Sequence, residues 1–190
     1  MRTFATVLAT AMLSTAILAG ATLPRKAPEF VIQSPNGKQT LLSSYRGKVV
    51  VMAFMFTTCS HCQHTAGVLA AVQKEYESKG VQVLGGTFDK DAPQQVEQFN
   101  KMFGVTYPCG FTTPKNVLQF LQIPENDPYF VPILVFIDKA GNIRSQYIGD
   151  EKFLDKQEVN IRAEIDKLLK GGPATPAPPA SAAKKSAPKQ

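Results

Sequence analysis

The chain has no tryptophan, two histidines and three cysteines in 190 residues. Three cysteines cannot staple a fold, so stability must come from a packed core, for which an apolar content of 44% suffices. Both histidines fall in one short stretch, which leaves none for a histidine-rich metal centre elsewhere. Positive charge is also scarcer than it looks. Arg2, Lys184, Lys185 and Lys189 account for four of the formal +6 and lie near the ends, leaving +2 for everything between. That excludes nucleic acid as the expected partner and allows at most a weak membrane-surface contact through the basic tail. No internal repeat is visible.

What is present divides into three. Residues 1–21 read as a signal peptide: one arginine, an uncharged run Phe4–Leu18, then the small residues Ala19-Gly20-Ala21 before the expected cut. No cysteine follows the run, which argues against lipoprotein processing. The alternative is an uncleaved anchor, since Phe4–Leu23 is 20 residues long, but four threonines and a serine dilute it. Residues 171–190 form a Pro/Ala/Lys-rich tail expected to be disordered. Residues 22–170 remain as one folded domain, expected to be exported to the periplasm or an equivalent compartment and to act as a monomer.

Within that domain Glu29–Gln33 and Thr40–Leu42 are short strand candidates around the turn Ser34-Pro35-Asn36-Gly37. Val49–Phe56 is eight consecutive apolar residues, the pattern of a central strand buried on both faces. Val68, Leu69, Val72 and Tyr76 then recur at helical spacing within Thr65–Lys79, with Gly80 as the stop. Val81–Phe88 is a second buried strand. Asp91 and Pro93 open a helix with Val96, Phe99 and Phe103 on one side, and Pro114–Leu121 suggests a further short helix. Ile133–Ile137 and Ile143–Ile148 form a hairpin, and a last helix is expected to start on Asp155 and Glu158 and to bury Val159, Ile161, Ile165 and Leu168. Strands alternating with helices predict an α/β three-layer sandwich with helices on both faces and a mixed central sheet, mainly parallel at its centre with an antiparallel edge from the late hairpin.

Chemistry concentrates in Phe56-Thr57-Thr58-Cys59-Ser60-His61-Cys62-Gln63-His64. Cys59 sits where a buried strand hands over to a helix, and unpaired N–H groups with the positive end of the helix dipole favour a thiolate there. Cys62, three residues on, faces the same way and suits a resolving thiol. Other readings compete. A haem anchor needs His after the second cysteine, and Gln63 stands there. A copper or zinc module could use Cys59, Cys62 and His64 but is one ligand short unless Cys109, a carboxylate or a partner completes it. An inert disulfide would close too small a loop to stabilise much. Cys109 reads as a buried small side chain, with a second resolving cysteine of a thiol peroxidase as the sharper alternative. Redox exchange through Cys59 and Cys62 is the strongest reading, and it requires no cofactor.

The run from Ala27-Pro28-Glu29-Phe30 through Gly47-Lys48-Val49-Val50, the C-x-x-C, Tyr76 to Gly80-Val81, Phe103-Gly104-Val105 and Phe130-Val131-Pro132 resembles the TlpA/ResA-like redoxins, which are related to the AhpC/TSA proteins. The resemblance spans about Ala27 to Lys170. It implies a thioredoxin-like fold, exported thiol–disulfide oxidoreductase activity, and protein thiols or disulfides as partners, among them an apocytochrome c or a membrane electron donor. It also implies a cis Val131–Pro132 bond with Pro132 beside the cysteine pair. Three departures stand out: Thr58 replaces the usual Trp and His61 the usual Pro, Val49–Phe56 carries no carboxylate, and Thr65 occupies a position where some relatives have an acid. A histidine between the cysteines, as in DsbA-like motifs, is expected to stabilise the reduced pair and raise its potential. Family resemblance therefore points to reductase work, whereas His61 and the missing acid point toward an oxidant.

Overall fold

The computed structural model describes residues 22–149 and 152–171. The expected signal peptide and tail lie outside the described residues. Within them run twelve elements: β1 (Arg25–Lys26), β2 (Val31–Gln33), β3 (Gln39–Leu41), β4 (Val49–Met55), α1 (Ser60–Tyr76), β5 (Val81–Thr87), α2 (Ala92–Met102), β6 (Cys109–Phe111), α3 (Pro114–Leu121), β7 (Ile133–Ile137), β8 (Asn142–Tyr147) and α4 (Gln157–Leu169), with short 3-10 turns between some of them.

All eight strands join one sheet in the order β1-β8-β7-β4-β5-β6-β2-β3. Every residue of β4 is buried, because helices cover both faces. Strand alternation sorts its side chains. Val49, Val51, Ala53 and Met55 point into a core shared with α1, α4 and Phe99 of α2. Val50, Met52 and Phe54 point into a second core with Phe30, Ile32 and Val117, Phe120 and Leu121 of α3. There Phe30, Phe54 and Phe120 meet edge to face at 5.0–5.8 Å between centroids, the preferred aromatic geometry. The chain thus forms the expected α/β sandwich with a mixed sheet and helices on both faces.

Several expectations are corrected. The antiparallel part is wider than one edge: β4 pairs parallel with β5 and β5 with β6 at the centre, while β7 runs antiparallel to β4 and every remaining pair is antiparallel. The chain crosses the sheet through α3 and the irregular stretch 122–132, so β7 enters beside β4 from the opposite end. Strands β1 and β6, of two and three residues, carry no period that sequence could show. Helix α1 begins at Ser60 directly after Cys59, as the strand-to-helix junction predicts, although its apolar spacing shows only from Thr65 on. No capping box opens α4: Asp155 lies in a 3-10 turn, and Lys156 precedes the helix without a side-chain cap. Val159 is 66% exposed, since it lies two positions from Ile161 and so on the far side of the face that Ile161, Ile165 and Leu168 bury.

Gly110 lets β6 fit between β5 and β2. A Cβ there would fall onto the Gln33 carbonyl and lie 2.9 Å from Ile32 Cγ2. Gly110→Ala is expected to cost about 1–3 kcal/mol through overpacking against backbone, read as a Tm lower by roughly 3–10 °C in thermal unfolding.

Candidate active site

The end of β4 decides the site. Chain leaving a buried strand must satisfy its backbone groups within a few residues before α1 begins. Phe56 uses both of its own. Its carbonyl accepts from the Cys59 N–H at 3.3 Å, and its N–H donates to Cys62 Sγ at 3.4 Å. Cys59 precedes α1 in extended conformation, φ −84° and ψ 120°, and its carbonyl takes the Gln63 N–H at 3.0 Å. Cys59 is half-buried, whereas Cys62, one turn along, has no exposed surface. Both thiols are free and within hydrogen-bonding reach of one another.

Opposite the pair, the Cys59 thiol lies 3.9 Å from the Val131 carbonyl oxygen, to which it points as a donor. The Val131–Pro132 peptide bond is cis, and Pro132 is buried. Three separate segments therefore meet at Cys59: the turn after β4, the first turn of α1, and the entry to β7.

The two thiols differ chemically. Burial pushes the Cys62 thiol well above the ordinary range. The Phe56 N–H pulls the other way, and the neighbouring Cys59 and Asp89 add to the rise. Cys62 is thus held as the neutral thiol and out of contact with solvent, while Cys59 reaches the surface. Cys59 is the one of the two that a molecule in solvent can reach, and Cys62 becomes nucleophilic only when its proton leaves.

An unanticipated carboxylate stands next to the turn. Asp89, half-buried just past β5, accepts from the Thr57 N–H and the Thr57 hydroxyl, both at 2.7 Å, and the hydroxyl also lies 2.8 Å from the Gln95 side-chain oxygen. The Gln63 side chain donates to the Thr57 carbonyl at 3.0 Å. Thr57 is buried and tied by every polar group it has, which pins the turn to β5 and α2. This was legible in principle. Parallel pairing of Met55 with Thr87 sets the register, and two residues further along it places Thr57 opposite Asp89.

The remaining expected residues are dispersed. His61 and His64 are both exposed on α1. Thr65, fully buried, shares its hydroxyl between the His61 carbonyl at 2.9 Å and the Gln157 side chain at 2.7 Å, linking the first turn of α1 to α4. Cys109 starts β6, paired in register with Gly85 and hence two strands from β4. A Cβ added at Gly85 would lie 2.6 Å from its Sγ, so the thiol fills the space that glycine leaves, and burial pushes it up to about 12. That contact gives the Cys109 side chain a packing role. Among the described residues no group of three or more His, Cys, Asp or Glu side chains is arranged to hold a metal ion, and no helix is long and apolar enough to cross a membrane.

Comparison with known proteins agrees with this geometry. The sequence model of the AhpC/TSA family matches residues 23–146. The thiol-disulfide oxidoreductase ResA of Geobacillus thermodenitrificans is 28% identical over 135 residues, covering 71% of this chain and 72% of that protein. ResA of Bacillus subtilis is 33% identical over 117 residues, 62% of each chain. Among solved structures, a thiol:disulfide interchange protein of the thioredoxin family from Chlorobium tepidum superposes with a TM-score of 0.65 at 23% identity, over 77% of this chain and 97% of that one. The fold is thioredoxin-like.

The exposures predict an order of alkylation in the reduced native protein. With iodoacetamide and peptide mass spectrometry, Cys59, half-buried, should be labelled at least about tenfold faster than Cys62, which has no exposed surface. Cys62 should become reactive on unfolding in guanidinium. Equal labelling of Cys59 and Cys62 in the native state would contradict the asymmetry.

Proposed function

The chain belongs to the AhpC/TSA family, and from that premise we propose that it is a thiol–disulfide oxidoreductase that exchanges disulfides with partner proteins through Cys59 and Cys62. The observation that carries this is the pairing of a half-buried thiol at the start of α1 with a buried one within bonding reach, at a point where the Val131 carbonyl already touches the first.

In the reducing direction, the Cys59 thiolate attacks one sulfur of the partner's disulfide. The other sulfur leaves as a thiolate and takes up a proton. Cys62, on losing its own proton, then attacks Cys59 Sγ. The second partner sulfur leaves, the pair closes as a disulfide, and two electrons have passed to the partner. The Phe56 N–H aimed at Cys62 Sγ stabilises the charge that this second step requires. Run backward, the same steps oxidise the partner. Pro132 and Val131 form the wall against which the partner's segment lies. His61, exposed on the first turn of α1, raises the potential by stabilising the reduced pair.

Export belongs to this proposal. The Met1–Ala21 pattern supports delivery to the periplasm or an equivalent oxidising compartment, where a thiol pair without a metal has partners to exchange with. Apocytochrome c thiols or a membrane electron donor are partners of the right chemistry.

Cys62→Ser, exposed to a disulfide-containing substrate protein, should accumulate a Cys59-linked mixed disulfide visible on a non-reducing gel, and Cys59→Ser should form none. Absence of any adduct with Cys62→Ser would remove the reading. His61→Ala should make the pair's potential more negative by on the order of 30 mV, tenfold in the exchange equilibrium, measured against a glutathione buffer. An unchanged value would reduce His61 to a surface residue.

A further inference from the structure

Phe130 is 51% exposed although it directly precedes Val131, whose carbonyl contacts the Cys59 thiol. Of the large apolar side chains exposed among the described residues, Leu41, Met102 and Val159 sit on β3, α2 and α4. Phe130 is the one joined to a residue that touches the reacting thiol. A single exposed phenyl ring is ordinary in itself; next to the residue that contacts the reacting thiol, it offers apolar area that a bound segment would remove from water.

Its exposure is built in by the backbone. The Gly149 N–H donates to the Phe130 carbonyl at 3.1 Å. The two strands of chain approach so closely there that a Cβ on Gly149 would lie 2.7 Å from the Val131 oxygen and 2.8 Å from the Phe130 carbonyl carbon. On the other side, Ile133 is fixed by pairing with Phe54 of β4. Phe130 therefore cannot retreat by a loop movement without breaking both attachments. Tyr129 beside it lies 6.0 Å from Phe88, which stacks edge to face on Phe56 at 4.6 Å. An aromatic row that begins at the residue leading into the Cys59 turn thus ends at Tyr129, the residue before Phe130.

The covalent step fixes what must come to this spot. A partner cysteine bonded to Cys59 Sγ has its Cα within about 7 Å of the Cys59 Cα, so its sequence neighbours come close to Val131, which follows Phe130 and contacts the thiol. The exposed groups next in sequence are Thr58, Ser60 and His61 beside Cys59 and Glu125 and Asp127 before Phe130, with no cation from Gln122 to Pro132. An acidic flank would be repelled there, and an apolar one is accommodated.

We propose that Phe130 is a partner-selecting anchor: the preferred partner is an extended protein segment with a large apolar side chain within two residues of its reacting cysteine, seated on Phe130 while the sulfurs exchange. This rests on the thiol-exchange reading above.

The test uses the reduced full chain and two short peptides whose single cysteine carries a 2-nitro-5-thiobenzoate disulfide, flanked by Phe in one and by Ser in the other. Reduction releases thiobenzoate and free peptide as the Cys59–Cys62 disulfide closes, and the coloured product reports the rate. Wild type should favour the Phe-flanked peptide about fivefold, the worth of covering roughly half a phenyl side chain. Phe130→Ser should abolish the preference and Phe130→Leu restore most of it. Release from Ellman's reagent, which has no flanking residues, should stay within about twofold in all three proteins and so reports intact folding and an intact thiol pair. Equal rates on the two peptides in wild type, or a preference that survives Phe130→Ser, would overturn the inference alone. Failure of wild type to release thiobenzoate from any of the three reagents would overturn the exchange reading and the inference together.

Discussion

Strand β4 is buried along its whole length, and the places of the other elements follow from that burial. A strand with no solvent-facing side must be covered on both faces, so α1, α2 and α4 occupy one and α3 with the aromatic trio occupies the other. It must also be paired on both edges, which draws β5 to one side and β7 to the other. Where it ends, the chain cannot stay in the core without losing its hydrogen bonds. The turn 56–59 is the solution, and it delivers one cysteine to the surface and the next beneath it.

The redox chemistry is an outcome of that geometry. Two identical side chains three residues apart acquire different properties because one helical turn carries the second from the rim into the core. Desolvation keeps Cys62 protonated, the Phe56 N–H waits for its charge, and the Val131 carbonyl crowds Cys59 from the far side. Thr57 keeps these relations in place. Its bonds to Asp89, Gln95 and Gln63 join the turn to β5, α2 and α1, so the thiol pair is held by three elements and not by the turn alone.

Much of this was legible in the residues. An eight-residue apolar run ending before a C-x-x-C, followed by helical spacing, places the pair at a strand-to-helix junction without any structure. The β7–β8 hairpin and the helix at Pro114 were equally plain. Other features depend on contacts far apart in sequence. The direction of β7 is decided by how residues 122–132 cross the sheet, and that stretch has no period to read. Strands β1 and β6 exist because they pair with β8 and β5, not because two or three residues prefer to be extended. Val159 matched a helical apolar pattern whose true face began two residues later. Asp89 stands apart from β4 and α1 in sequence and comes beside the turn only through the parallel register of β4 with β5, two residues past the end of β5. The exposure of Phe130 could not be inferred from a sequence in which it looks like one more core aromatic.

The central claim is that Cys59 and Cys62 form a reversible two-electron couple, poised for exchange by burial of one thiol and by the histidine between them. Equilibrating the wild-type protein with glutathione buffers and quantifying the oxidised fraction by mass spectrometry tests it directly. The account predicts a single two-electron transition with a midpoint less negative than the value of about −270 mV typical of thioredoxin. A midpoint below about −300 mV, where structural disulfides lie, or a pair that does not close under any buffer, would contradict it.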